Sequence, residues 1–118
     1  MQLRETQGTA AYIVSEADKT RSREQGVLAD SSTAYIAGTV VALVGGEYVR
    51  HDGTNTIAGI LYEGADADAG AIDRTFHVRD CEVNAAELQW TADGVAELTA
   101  AQITAGETAL AALGIIVR

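Results

Sequence analysis

The stretch TFHVRDCEVNAAEL, residues 75–88, sets His77, Asp80, Cys81 and Glu82 within six residues of one another. Imidazole, thiol and carboxylate groups are the side chains used for proton transfer, nucleophilic attack and zinc binding. A β-strand is expected over 72–83, and side chains alternate along a strand. His77, Arg79, Cys81 and Val83 would then share one face, with Phe76, Val78, Asp80 and Glu82 on the other. The Cα atoms of His77 and Cys81 would lie ~13 Å apart, at ~3.3 Å per residue. One zinc ion with ligand bonds of ~2.0–2.3 Å could hardly hold both. A cysteine nucleophile would need a base from elsewhere, and the only other histidine is His51, beside a predicted turn. The expectation is therefore that these four residues form no shared site. Cys81 reads as a small packed residue, and His77 as a partly exposed strand residue.

Other chemical signals are weaker. GADADAG offers Asp66 and Asp68 before Gly70. A calcium loop counted from Asp66 requires glutamate at position twelve, where this chain has His77, so a turn is expected. A biotin or lipoate carrier needs a lysine in a hairpin, and the only lysine, Lys19, lies in a polar segment. The chain contains no GxGxxG, GxxxxGK[ST] or GxSxG pattern. No catalytic residue, metal or cofactor is expected.

The elements that would position these residues are mostly short strands. Residues 1–7 are polar and unpatterned. AAYIVSE (10–16) is a β-prone island, and ADKTRSREQG (17–26) carries three of the eight basic residues. These stretches suggest a partly disordered N-terminal arm over 1–26 and a β-rich domain over 27–118, so that deleting 1–26 should leave a folded domain. Gly45-Gly46 splits two β-branched runs, a hairpin signal, and Asp52-Gly53 marks another turn. A strand around 57–62 precedes the one at 72–83. Asn84 with Glu87, Thr99 with Gln102, and Thr104 with Glu107 each match the capping-box spacing. They predict a short helix at AAELQW and a longer one between Thr99 and Leu113, with Ile103, Leu110 and Leu113 on its apolar face. Gly106 inside that helix costs roughly 1 kcal/mol relative to alanine. Gly114 suits the residue after the helix, and IIVR reads as a last strand. The fold class expected is α+β: an irregular barrel or sandwich of short strands with C-terminal helices.

Composition narrows the function. The 118 residues fit one domain, and 47% of them are hydrophobic, an ordinary fraction. Seventeen acidic residues against eight basic give a net charge of −9, which disfavours nucleic acid and anionic membranes. No apolar run reaches the ~20 residues of a membrane span, and residues 1–20 lack a signal-peptide core. Cys81 has no partner for an internal disulfide. These features suggest a soluble protein made in a reducing cytoplasm.

Five stretches carry a family resemblance: VSEADKTRSREQGVL, AGTVVALVGGEYVRHDG, AGILYEGADADAG, VRDCEVNAAELQW and the ending LAALGIIVR. In this order they resemble the lambda-type head decoration proteins of tailed phages and prophages, over about residues 13–118. The resemblance implies a structural protein that binds the outside of the expanded phage head. It implies a homotrimer at three-fold and quasi-three-fold positions, in contact with the major capsid protein, that braces the shell against packaged DNA. It also implies synthesis in the bacterial host cytoplasm and capsid binding through an N-terminal arm, here about 2–24. Tyr12, Ile13 and Val14 would be the ordered anchor, with Arg21 and Arg23 beside it. A β-prone segment in a polar tail is what strand addition to a partner's sheet edge requires. The alternative for Tyr12 to Val14 is the domain's own first strand. Alternatives for the whole chain are a small cytoplasmic enzyme using His77 and Cys81, or a β-barrel ligand-binding module.

Overall fold

A computed structural model describes residues 10–31, 34–64, 67, 70–90 and 98–118. Among these residues eight strands and two helices follow one another: β1 (Ile13–Glu16), α1 (Lys19–Ser22), β2 (Arg23–Leu28), β3 (Val40–Val44), β4 (Glu47–Arg50), β5 (Ile57–Leu61), β6 (Ile72–His77), β7 (Cys81–Val83), α2 (Ala100–Ala112) and β8 (Ile115–Val117). A single 3-10 turn, Ala85–Glu87, follows β7.

Five strands close a barrel in the order β2-β4-β3-β5-β6. A two-residue turn joins β3 to β4. Gly45 and Gly46 have φ of 60° and 86°, the two positive values that a two-residue hairpin turn needs and that glycine adopts without strain. At the next turn the Asp52 carboxylate accepts the backbone N–H groups of Thr54 and Asn55 at 2.8 and 2.9 Å. The barrel is filled by Leu28, Val41, Tyr48, Leu61 and Phe76, with Tyr48 stacked on Phe76 at 3.9 Å between ring centroids.

The other three strands form a small sheet in the order β1-β7-β8. Its inner face and α2 enclose a second cluster of Tyr12, Val40, Ile57, Ile60, Cys81, Val83, Leu110 and Ile115. Val40 and Val41 are both fully buried because β3 lies between the two clusters. This accounts for the unbroken apolar run VVALV, which alternation alone would not produce.

The α+β class and the barrel agree with the sequence, and so do the Gly45-Gly46 hairpin and the final strand. Thr99 rather than Thr104 starts the long helix: its hydroxyl accepts from Gln102 N at 3.1 Å, and Gln102 Oε1 accepts from Thr99 N at 2.9 Å. One expectation needs correction. The single strand over 72–83 is two strands in different sheets. The chain leaves the barrel after His77 and turns through Asp80, whose φ is 54°. The division at residue 26 runs through β2, which pairs residue by residue with β6 from Arg23↔His77 to Leu28↔Ile72. The polar stretch 17–26 combines the turn of α1 with the start of β2, where Glu24 and Gln25 are exposed. Residues 1–9 of the expected arm, and Asp66 and Asp68, lie outside the described residues.

Candidate functional site

The four residues that opened the sequence reading are held apart. His77 ends β6 in the barrel, whereas Cys81 begins β7 in the small sheet. Cys81 is buried, and burial pushes its thiol up to about 12, so it is a packed thiol rather than a nucleophile. The Glu82 carboxylate accepts from Ser15 Oγ at 2.8 Å and pairs with Arg118. Asp80 lies 3.7 Å from Arg21. His51 Nδ1 is 2.7 Å from Asn55 Oδ1, at one side of a shallow cleft of about 300 Å³ between the 52–56 turn and α2. Among the described residues no three His, Cys, Asp or Glu side chains stand where they could hold a metal ion.

His77 departs from its expectation: it is fully buried, not partly exposed. It sits in a network built mainly from the N-terminal segment. Glu16 ends β1, and α1 is a single turn whose start is fixed by Asp18 O accepting from Arg21 N and Ser22 N. That turn reverses the chain and brings Arg23 back beside Glu16. The pair is bidentate, with Arg23 Nη2 to Glu16 Oε1 at 2.6 Å and Nε to Oε2 at 3.2 Å. Ser22 Oγ donates to Glu16 Oε2 at 2.7 Å. His77 Nε2 reaches the same oxygen at 2.7 Å, and the Tyr12 hydroxyl meets His77 Nδ1 at 2.5 Å. The guanidinium of Arg23 lies over the Tyr62 ring, 4.4 Å from its centroid.

Electrostatics assigns the protons. The Arg23 hydrogen bonds, ahead of those from Ser22 and His77, hold the Glu16 carboxyl down to about 2, so it is ionised and only accepts. His77 Nε2 must therefore carry a hydrogen. Burial, outweighing the attraction of Glu16, lowers the basicity of the ring, so Nδ1 is bare and accepts from Tyr12. Burial also raises the Tyr12 phenol, which stays protonated. Tyr12 and His77, both at 0% exposure, close the inner end of this chain of hydrogen bonds to solvent, while Glu16 and Arg23 at its outer end are about one-fifth exposed. Its chemistry is to fasten.

The five residues singled out for capsid binding are thus divided. Tyr12 is in the core, and Ile13 packs against that core. Arg23 is engaged by Glu16 and Tyr62. Val14 is 54% exposed, and the Arg21 side chain is 70% exposed. β1 is an edge strand, paired with β7 through Ile13↔Val83, Ser15↔Glu82 and Glu16↔Cys81. The segment Tyr12 to Val14 is thus attached to the domain's own sheet in this structure. Sequence reasoning missed the Glu16–Arg23–His77 network. The Glu16–Arg23 spacing across a short turn was a usable signal, but nothing local indicated His77, 61 residues away. It also passed over Leu43 and Val44, each about half exposed at the end of β3.

A family model described as bacteriophage lambda head decoration protein D matches residues 2–115. No curated protein matches the chain.

Proposed function

The chain belongs to the bacteriophage lambda head decoration protein D family, and from that membership we propose that it binds the outside of an expanded phage head as a homotrimer. In this reading it sits at three-fold and quasi-three-fold positions on the major capsid protein and braces the shell against packaged DNA. Its role is structural rather than enzymatic, and it is made in the host cytoplasm. The observation that carries the reading is the family match over nearly the whole chain.

The geometry supports a particular division of labour in the N-terminal segment. Val14 and Arg21, exposed on β1 and α1, would be the residues that meet the shell. Tyr12, Ile13 and Arg23 act from inside, holding β1 against the body so that the edge left unpaired among the described residues is presented as a template. An edge strand offers unpaired backbone N–H and C=O groups to an incoming strand. Preorganising that edge lowers the ordering cost of docking. Three such edges in one trimer would make the second and third contacts effectively intramolecular, adding up to ~10²–10⁴-fold in avidity. The acidic body, at −9 per copy, suits a place outside the shell, away from the packaged polyanion.

The test is incubation of the purified protein with expanded, undecorated heads, followed by electron microscopy. Saturable density at three-fold and quasi-three-fold positions is expected. Absence of bound density at saturating protein would overturn the reading.

A further inference from the structure

Both ring nitrogens of His77 are in use, and both uses hold the N-terminal segment. Nε2–H donates to Glu16 at the end of β1, and Nδ1 accepts from Tyr12 just before it. The ring is fully buried, so water cannot substitute for either partner. Only the neutral ring leaves every donor in this arrangement, the Tyr12 hydroxyl included, with an acceptor. A proton added at Nδ1 would turn the acceptor into a donor facing the Tyr12 hydroxyl. That hydroxyl makes no other hydrogen bond among the described residues, so its hydrogen would be left buried and unpaired.

We propose that His77 is an acid-sensitive catch: a second proton on its ring removes the acceptor that holds Tyr12, and β1 with α1 lifts from a body that stays folded. This goes beyond the decoration role and can be read on the free, full-length protein.

The groups facing the ring determine the direction. Glu16, from β1, favours the extra proton, but Arg23, from β2, already occupies both of its oxygens and repels a cationic ring. Tyr12 stays neutral. Tyr62, following β5, presents its ring 5.6 Å from that of His77. Cys81, from β7, pairs in register with Glu16 and stays a neutral thiol. Burial is the largest influence and lowers the ring below its ordinary value of 6.5. A histidine lowered in the folded state contributes stability above 6.5 that is lost as pH falls. Opening that returns the ring to water therefore becomes easier by up to ~10-fold per pH unit, from 6.5 down to the folded-state value. The segment yields first because β1 is a four-residue edge strand whose pairing shifts register between Ile13 and Ser15. The barrel is closed, and β2 alone keeps six registered pairs with β6.

Amide hydrogen exchange read by mass spectrometry tests the catch at about pH 7.5 and about pH 5, with rates corrected for the intrinsic effect of pH. Opening of residues 12–22 should rise roughly tenfold or more relative to β3 and β5. His77→Gln keeps a donor and an acceptor but cannot gain a proton, so the rise should vanish. A rise of equal size in H77Q would overturn the proposal, as would parallel opening of the barrel strands. If H77Q does not fold, the ring of His77 in the unaltered protein can be titrated by NMR. A midpoint below 6.5 is expected, and one at or above 6.5 would overturn the catch.

Discussion

Gly106 shows how a single residue can be required for a reason that its helix propensity conceals. It lies in α2, where alanine would gain about 1 kcal/mol of intrinsic helix stability. Yet a Cβ there would fall 2.5 Å from a ring carbon of Trp90 and 3.2 Å from Cδ1 of Ile57. Overpacking of this kind costs ~1–3 kcal/mol, so Gly106→Ala should be net destabilising and lower the denaturant midpoint. A raised midpoint would mean that Trp90 moves aside at little cost. Cys81 supports a second prediction. With its thiol buried and pushed up to about 12, the native protein at about pH 8 should alkylate with iodoacetamide at least about a hundredfold more slowly than the urea-unfolded chain. Comparable rates in the two states would remove Cys81 from the core.

At the scale of elements, β2 determines what the N-terminal segment is. Deleting 1–26 would remove β1, α1 and four of the six residue pairs between β2 and β6, leaving only Val27↔Asp73 and Leu28↔Ile72. It would also take Tyr12 and Ile13 from the second core cluster. A barrel opened along one seam exposes unpaired edges and apolar interior. The truncated chain should therefore show no cooperative thermal transition by circular dichroism, contrary to the reading in which 1–26 is a dispensable arm. A sharp transition would show that β3 to β8 fold alone.

For the molecule as a whole, the question is whether charge or apolar contact would attach it to a shell. Within the described residues, Arg23 is paired with Glu16, Arg79 with Glu24 and Arg118 with Glu82, and Arg21 has Asp80 nearby. The positive charges of these four arginines are compensated inside the chain, and exposed ion pairs are worth only ~0–1 kcal/mol each. Three copies at −9 would repel one another, and salt screens that repulsion. Affinity for undecorated heads should therefore change less than about tenfold between about 50 and 500 mM salt. A larger loss would assign the attachment to the arginines.

Several features needed only the sequence. Gly45-Gly46 announced its hairpin because few residues tolerate two successive positive φ values. Thr99 and Gln102 announced a helix start because a capping box is local chemistry. The five ordered stretches carried the family. Other features depended on contacts between distant parts of the chain. VVALV is buried on both faces at one end and half exposed at the other because the barrel and the small sheet share only the start of β3. His77 and Cys81 belong to different sheets because the chain crosses between them at Asp80. Glu16 meets His77 only after β6 has closed on β2. Local propensity acts over a few residues and can be read from their order. Burial and buried proton placement depend on which surfaces come together, and here those surfaces lie some 60 residues apart in the chain.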